Sequence, residues 1–352
     1  CLVGSEMCIR DRYIGMDFIL WALQIPNEIQ AMMRDYLEII FLGITATFLY
    51  NYFANLLRAI GNSVLPLVFL AVSAVLNVVL DLVCVLLFNW GVKGAAIATV
   101  FSEFISAIGI AIYTFKRFKQ LIPEKEDMKW NRNNLSAILN LSVMTSLQQS
   151  IMNFGILMVQ GLVNSFGTVI MAAFAAAVKI DSFAYMPVQD FGNAFSTYVA
   201  QNYGAGKQER IRKGIKSAFV TSVIFCAIIS LLVIVFAKPL MCIFINPDET
   251  EIISAGVIYL CIEGSCYIGI GILFLLYGYY RAVNKPFMSV VLTVISLGTR
   301  VLLAYILSAI PAIGVIGIWV SVPIGWALAD ITGVVYYFVK SKKQLEMIEN
   351  NE

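Results

Sequence analysis

The chain is a succession of long apolar segments separated by short polar connections. Apolar segments of about 20 residues are long enough to cross a lipid bilayer as α-helices. The pattern predicts nine complete spans and one partial span at 13–25, which precedes Pro26 and is too short to cross. The complete spans lie at 36–57, 64–88, 93–115, 135–162, 168–202, 215–245, 252–280, 287–310 and 314–339.

The composition agrees with a membrane-embedded chain. Hydrophobic residues make up 60% of the sequence and charged residues 13%, and the mean hydropathy is +0.84, whereas soluble domains carry about 25% charged residues. Histidine is absent, which excludes a histidine-based triad, an imidazole proton relay and a histidine metal site. The predicted fold class is that of an all-α integral membrane protein. Its expected partner is the lipid bilayer, and no nucleic acid is expected to bind.

The distribution of basic residues predicts the orientation. Most of the 24 Lys and Arg residues lie in alternate connections, whereas one of the opposite connections, at 246–251, reads NPDETE. Basic connections are cytoplasmic in membrane proteins, so the C-terminus is predicted to be cytoplasmic. The only long polar connector, at 119–134, is the predicted cytoplasmic linker between two lobes.

An internal repeat relates these lobes. Sliding the chain on itself places Tyr36-Leu37 on Tyr259-Leu260 and Arg58-Ala59 on Arg281-Ala282. Six spans fit in one period, and an even number keeps both copies in one orientation. We therefore expect two pseudo-symmetric six-helix bundles, with the first two helices missing from this chain. The expected parts are a non-native leader at 1–12, the rest of the N-terminal lobe at 13–118, the linker, a C-terminal lobe at 135–343 and a cytoplasmic tail at 344–352.

Three polar residues inside the first lobe form a candidate cation site. Asn77 and Asp81 lie one helical turn apart on one face, and Thr99 follows Trp90 at the same separation at which Asp81 precedes it. In two helices joined near Trp90, Asp81 and Thr99 are expected at the same depth. Their oxygens would suit a hard cation such as Na⁺, or Asp81 would bind a proton. The alternative is an aspartate that only hydrogen-bonds between helices.

A polar stripe on the span 168–202 predicts a substrate cavity. Pro187 is expected to interrupt this span, and broken polar helices line cavities in transporters. The predicted cavity residues are Lys179, Asp181, Tyr185, Gln189 and Asp190, with Gln149 and Asn153 from the preceding span. Alternatively, Lys179 only neutralises Asp181 or Asp190, and the amides hydrogen-bond between helices. Four further ionisable residues are expected to pair with neighbours or to reach an interface: Glu103, Glu263, Arg300 and Asp330.

Several motifs resemble the bacterial branch of the multidrug and toxic compound extrusion (MATE) family. They are LRAIGNS at 57–63 followed by Pro66, Asn77-x-x-x-Asp81, GVKGAAIAT at 91–99 and QNYGAGK at 201–207. The last motif lacks the spacing of a phosphate-binding loop, so no primary ATPase is expected. The resemblance implies a monomeric multi-pass protein of the bacterial inner membrane, with two bundles that open alternately and no cofactor besides the coupling ion.

The resemblance also implies roles for particular residues. Asn77, Asp81 and Thr99 would hold the coupling ion, with Asn51 as a helper, and a further acid would come from the missing first helix. The leading hypothesis is export of amphiphilic, cationic organic compounds in exchange for Na⁺ or H⁺, and the chain without its first two helices is expected to be inactive. The alternative is a flippase for lipid-linked oligosaccharides from the same wider superfamily. A membrane-embedded enzyme would need a convergent catalytic pair, and none is recognised.

Overall fold

The structure, a computed structural model, describes residues 27–121 and 131–341, and all regular elements within these ranges are helices. The predicted leader, the partial span at 13–25 and the tail at 344–352 lie outside the described residues. The chain divides into two compact units, residues 1–130 and 131–352. The division falls within the 119–134 connector.

The described part of the first unit, residues 27–121, contains three long helices. Helix α1 comprises Asn27–Ala59, α2 comprises Val64–Leu82 and continues as a π-helical turn at Val83–Leu87, and α3 comprises Gly91–Arg117. Gly91 has a φ of 54°, a left-handed conformation that glycine adopts without steric cost. The chain can therefore reverse tightly between α2 and α3.

Packing in the first unit joins these helices through a small core and a few polar contacts. Phe53, Ala54 and Leu57 of α1 pack with Ile110 of α3 in this core. The Ser106 hydroxyl of α3 donates to the Phe69 carbonyl of α2 at 2.9 Å. Carbonyls inside a bilayer require such internal donors, so these polar contacts are part of the packing.

Eight α-helices lie in residues 131–341, the described part of the second unit. Asn131 caps the first of them, because its side-chain oxygen accepts from the backbone N–H groups of Asn133 and Asn134. The helices are α4 Arg132–Asn164, α5 Thr168–Gly204, α6 Gln208–Val235, α7 Ala237–Phe244, α8 Thr250–Gly264, α9 Tyr267–Ala282, α10 Pro286–Ser308 and α11 Ile316–Tyr336.

Helices α5 and α9 touch backbone to backbone. A Cβ atom added to Gly278 of α9 would lie 2.5 Å from the Gly192 carbonyl oxygen of α5, and one added to Gly192 would lie 2.9 Å from the Phe274 carbonyl oxygen. Both glycines are buried. Small residues allow this close approach between membrane helices, and any side chain at either position would force the helices apart.

The predicted spans and the described helices correspond in position but differ in number and in continuity. Seven described helices are long and apolar enough to cross a membrane, and the pair α8 and α9, bent by 51°, would form an eighth span. Helix α4, at 33 residues, corresponds to the predicted span 135–162 but is not among those apolar enough. The 252–280 span is therefore broken into two helices.

Two predictions of continuity were wrong. The span 215–245 is not one helix, because α6 ends at Val235 and α7 begins at Ala237. Pro239 lies in the first turn of α7, where a proline is tolerated because the missing N–H has no helical acceptor. Conversely, α5 runs unbroken through Pro187 to Gly204, since neighbouring groups can satisfy a carbonyl that a proline leaves without a donor.

Candidate functional site

The candidate cation site in the first unit lies between α2 and α3. The Asn77 Nδ2 group donates to Thr99 Oγ1 at 3.2 Å, and the Thr99 hydroxyl donates to the Ala95 carbonyl at 3.0 Å. Asp81 lies one turn along α2, and its buried Oδ1 has no hydrogen-bond partner among the described residues. The structure thus brings Asn77 and Thr99 into contact and places a partnerless carboxylate oxygen beside them in the helix.

The hydrogen-bond pattern determines which oxygens remain for a ligand. An amide has donors on nitrogen and acceptors on oxygen, so the bond from Asn77 Nδ2 leaves Asn77 Oδ1 as an acceptor. The Thr99 oxygen already accepts from Asn77 and donates its proton to Ala95. The acceptors remaining at this site are the Asp81 carboxylate and the Asn77 carbonyl, which suit Na⁺ or, on the carboxylate, a proton.

The depth of these residues differs from the expectation. Thr99 bonds to Asn77 rather than to Asp81, so α2 and α3 are offset by one helical turn from the predicted register. The π-helical turn at Val83–Leu87 lies between Asp81 and the connection and shifts the register in this direction. A π-turn uses more residues per turn than an α-helix, so Asp81 lies closer to the connection than a count of α-helical residues indicates.

Asn51 differs from Asn77 and Thr99 in its exposure to solvent. Its side chain is on the exposed face of α1, in a shallow surface concavity with Phe48, Tyr52, Asn55 and Leu56. The role of Asn51 as a helper stays a prediction.

Glu103 of α3 pairs with a neighbour, as one of the sequence alternatives has it. Its Oε2 accepts from the Thr47 hydroxyl of α1 at 2.8 Å, and that hydroxyl also lies 3.1 Å from the Gly43 carbonyl. Glu103 therefore links α1 and α3.

A second polar cluster, in the second unit, involves Asp181 of α5. Its Oδ2 accepts from the Tyr259 hydroxyl at 2.7 Å, and its Oδ1 accepts from the Tyr267 hydroxyl. Glu263 is only 3% exposed and lies within hydrogen-bonding reach of Asp181, while its Oε1 has no donor among the described residues. Arg300 of α10 interacts electrostatically with both carboxyl groups.

Sequence reasoning missed this cluster as a unit. Tyr259, Glu263 and Tyr267 are spaced four residues apart, and residues at i and i+4 share one helix face. That stripe was the available signal within the predicted span 252–280. Asp181 is predicted to line the substrate cavity, and in the structure both of its carboxylate oxygens have tyrosine donors.

The other predicted cavity residues are dispersed. Lys179 is exposed and its Nζ lies 5.7 Å from the centre of the Phe244 ring, not in an ion pair with Asp181 or Asp190 within the described part of the chain. Tyr185 is half-buried, packs against Phe274 with ring centres 5.2 Å apart and has its hydroxyl 3.7 Å from the Met152 sulfur. Gln189 is half-buried, and the exposed members are Asp190, Gln149 and Asn153.

The described residues contain no cluster of three or more His, Cys, Asp or Glu side chains that could hold a metal ion. Within the described residues, the oxygens available to a cation at this site are the Asp81 carboxylate and the Asn77 carbonyl.

Comparisons with known proteins identify the family. The MatE family model matches residues 13–83 and 142–306. The chain is 30% identical over 282 residues to the probable multidrug resistance protein YpnP of Bacillus subtilis, covering 80% of this chain and 62% of YpnP. It is 27% identical to the probable multidrug resistance protein YoeA of Bacillus subtilis, covering 98% of this chain and 76% of YoeA.

A solved structure shares the fold. The Vibrio cholerae MATE transporter VcmN in its bent form matches with a TM-score of 0.85 at 22% identity, covering 98% of this chain and 77% of VcmN. The all-α membrane fold and the family resemblance are confirmed, and MatE proteins are transporters, not enzymes. The chain belongs to the MatE family of multi-pass membrane proteins.

Proposed function

We propose that the protein is a secondary exporter of amphiphilic, cationic organic compounds in exchange for Na⁺ or H⁺. YpnP and YoeA are named as probable multidrug resistance proteins, which supports export of such compounds. The observation that carries the proposal is the buried Asp81 Oδ1, which lacks a hydrogen-bond partner among the described residues beside the Asn77–Thr99 pair.

Exchange follows if the ion and the drug favour different states of the protein. A ligand shifts a conformational equilibrium only by its difference in affinity for the two states. A cation on Asp81 would favour one state and the organic compound the other, so the ion gradient would drive alternating access and export. The polar residues of α4 and α5, among them Gln149, Asn153, Lys179 and Asp190, are proposed to contact the compound.

The proposal includes the cellular setting. We place the protein as a monomer in the bacterial inner membrane with its C-terminus in the cytoplasm, because basic residues concentrate in alternate connections. A flippase for lipid-linked oligosaccharides is less well supported. A flippase would need a strongly cationic cavity for pyrophosphate, and the basic residues within the spans that could supply it are Lys179 and Arg300.

The test is efflux of a fluorescent organic cation from vesicles that contain the purified full-length protein, under imposed Na⁺ or H⁺ gradients. We expect one of the two gradients to drive efflux and Asp81→Asn to remove that dependence. Asp248→Asn, in an exposed connection, is the matched loss of one carboxylate and should transport normally. Dye that does not move under either gradient would contradict the proposal.

The same efflux assay tests whether the coupling ion binds at Asp81 of the first unit or at Glu263 of the second. If Glu263→Gln removes the gradient dependence and Asp81→Asn does not, the coupling ion binds in the second unit. The exporter proposal would then stand, with its ion site moved.

A further inference from the structure

The break between α8 and α9 lies beside the buried cluster of the second unit. Helix α8 ends at Gly264 and α9 begins at Tyr267, and the two are bent by 51°. Local bonds replace the regular helical ladder here: the Cys266 N–H donates to the Glu263 carbonyl at 2.9 Å, and the Ser265 hydroxyl donates to the Ile262 carbonyl at 2.8 Å. The break is thus a defined turn with its own hydrogen bonds.

Asp181 of α5 bonds to both sides of this break. Its Oδ2 accepts from Tyr259, which lies in α8, and its Oδ1 accepts from Tyr267, the first residue of α9. Hydrogen bonds to charged groups are roughly twice as strong as neutral ones. One carboxylate therefore ties the two halves of the broken span to the same point on a third helix.

The surrounding packing holds the tyrosines in place for these bonds. The Tyr259 ring lies edge-on to Trp319, with ring centres 5.0 Å apart, and also edge-on to Phe174 at 5.5 Å. Tyr259 and Tyr267 are 2% and 4% exposed. Buried tyrosine rings with one polar end direct the hydroxyl to a specific acceptor, so the geometry depends on where the Asp181 carboxylate lies.

We infer that Asp181 is a positioning residue that fixes the angle of a hinge at Ser265–Cys266. While both tyrosine bonds are present, α8 and α9 keep their bend. Loss of either bond releases one half, and Glu263 at the end of α8 then moves relative to Arg300. This inference goes beyond the proposed exporter and depends on neither its substrate nor its coupling ion.

The test is amide hydrogen exchange, followed by mass spectrometry, on the full-length protein in lipid nanodiscs. The reporters are the amides of Ser265, Cys266 and Gly269, whose hydrogen bonds to the Cys261, Glu263 and Cys266 carbonyls define the turn at the break. We expect Tyr259→Phe and Tyr267→Phe each to increase exchange of these amides about tenfold or more, the effect of losing one hydrogen bond to a charged group. Peptides elsewhere should be unchanged, whereas a general loss of stability would raise exchange throughout.

Further variants test the shared carboxylate. Asp181→Ala removes both acceptors, so adding Tyr259→Phe or Tyr267→Phe to it should cause no further increase. Independent sites would instead give additive effects. Asp181→Asn keeps one acceptor oxygen and should resemble a single tyrosine variant. Asp190→Asn removes an exposed carboxylate from the same helix and should leave the reporter amides unchanged.

Two results would overturn the inference: unchanged exchange at the break in both tyrosine variants, or full additivity with Asp181→Ala. If Asp181→Ala does not fold, the single and double tyrosine variants decide alone, because each removes only a hydroxyl. Because the exchange experiment does not measure efflux, a negative exchange result would leave the exporter proposal standing. A negative efflux result would likewise leave the inference about the hinge standing.

Discussion

Asp81 and Asp181 differ in what surrounds their carboxyl groups. Asp81 has a buried oxygen without a hydrogen-bond partner among the described residues, whereas Asp181 has a tyrosine donor on each oxygen. A buried carboxylate is costly unless it is paired or hydrogen-bonded. Binding of a cation or a proton would therefore lower the free energy of the Asp81 site. Asp181 is already satisfied by the fold. The comparison teaches that an acid within a span becomes a candidate ion site only after its internal donors are known.

The largest expected effect concerns the packing that holds the second cluster together. Gly278→Val would place a side chain where even a Cβ lies 2.5 Å from the Gly192 carbonyl oxygen. Overpacking of this kind typically costs about 1–3 kcal/mol, and the rigid backbone on the other side puts this variant at the upper end. Thermal melting of the purified protein should show a clearly lower Tm.

Gly161→Val is the control for that substitution. Gly161 lies in α4, and a Cβ added there meets no atom within 4 Å, so the same change in a helix should alter Tm little. Equal melting of the two variants would show that the contact between α5 and α9 is not tight.

The next prediction separates the two aspartates by what each substitution changes. Asp181→Asn should lower the free energy of unfolding by about 1.5–3 kcal/mol, because a hydrogen bond to a charged group is lost. Asp81→Asn should leave Tm nearly unchanged while it removes the gradient dependence of efflux. Melting and efflux on the same preparations measure both. The distinction fails if Asp81→Asn destabilises the protein as strongly as Asp181→Asn.

A smaller effect is expected at Thr99. Thr99→Val keeps the shape but removes the acceptor for Asn77 Nδ2, and a typical hydrogen bond contributes about 1 kcal/mol. Thr99→Ser keeps the hydroxyl and serves as the control. If Thr99 only bonds the helices, Val should lower Tm without changing the concentration of Na⁺ or H⁺ that gives half-maximal efflux; if it positions Asn77 for the ion, both should change.

The smallest effect is expected at the ion pair between Lys93 and Asp35, whose atoms lie 3.0 Å apart. Their side chains are 58% and 42% exposed, and exposed pairs contribute less than about 1 kcal/mol. Lys93→Met should therefore shift Tm only slightly, and less at high salt. A large shift would indicate that charge pairs at the ends of α1 and α3 stabilise the first unit as much as its buried contacts.

The sequence predicted the spans well where polar turns bound them. The 64–88 prediction differs by one residue from Val64–Leu87, because Asn62 and Ser63 before it and Asn89 after it are unfavourable within a long apolar helix. Breaks inside apolar stretches were harder. The sequence around Gly264 is as apolar as an ordinary span, so hydropathy gives no indication that α8 ends there.

The candidate sites were predictable to different extents. Spacing about a short turn predicts that the helices carrying Asn77, Asp81 and Thr99 pack antiparallel, but it placed Asp81 rather than Asn77 at the depth of Thr99. The tyrosine bonds of Asp181 join residues 78 and 86 positions apart. Contacts of that range depend on how helices pack across the unit, and no local pattern in one sequence encodes them.

The backbone contact between Gly192 and Gly278 determines which of the two helices of the broken span, α8 or α9, changes its angle more. Helix α9 cannot roll or slide on α5 there, because main-chain atoms have no rotamers to yield, whereas α8 meets α5 through side chains. The larger change of angle is therefore carried by α8, which has 15 residues and is roughly 22 Å long, while loss of the Tyr267 bond loosens only the first turn of α9. A rotation of α8 by about 10° about the break would displace its far end by roughly 4 Å. Loss of one hydrogen bond to the Asp181 carboxylate would therefore move the acidic connection at 246–251.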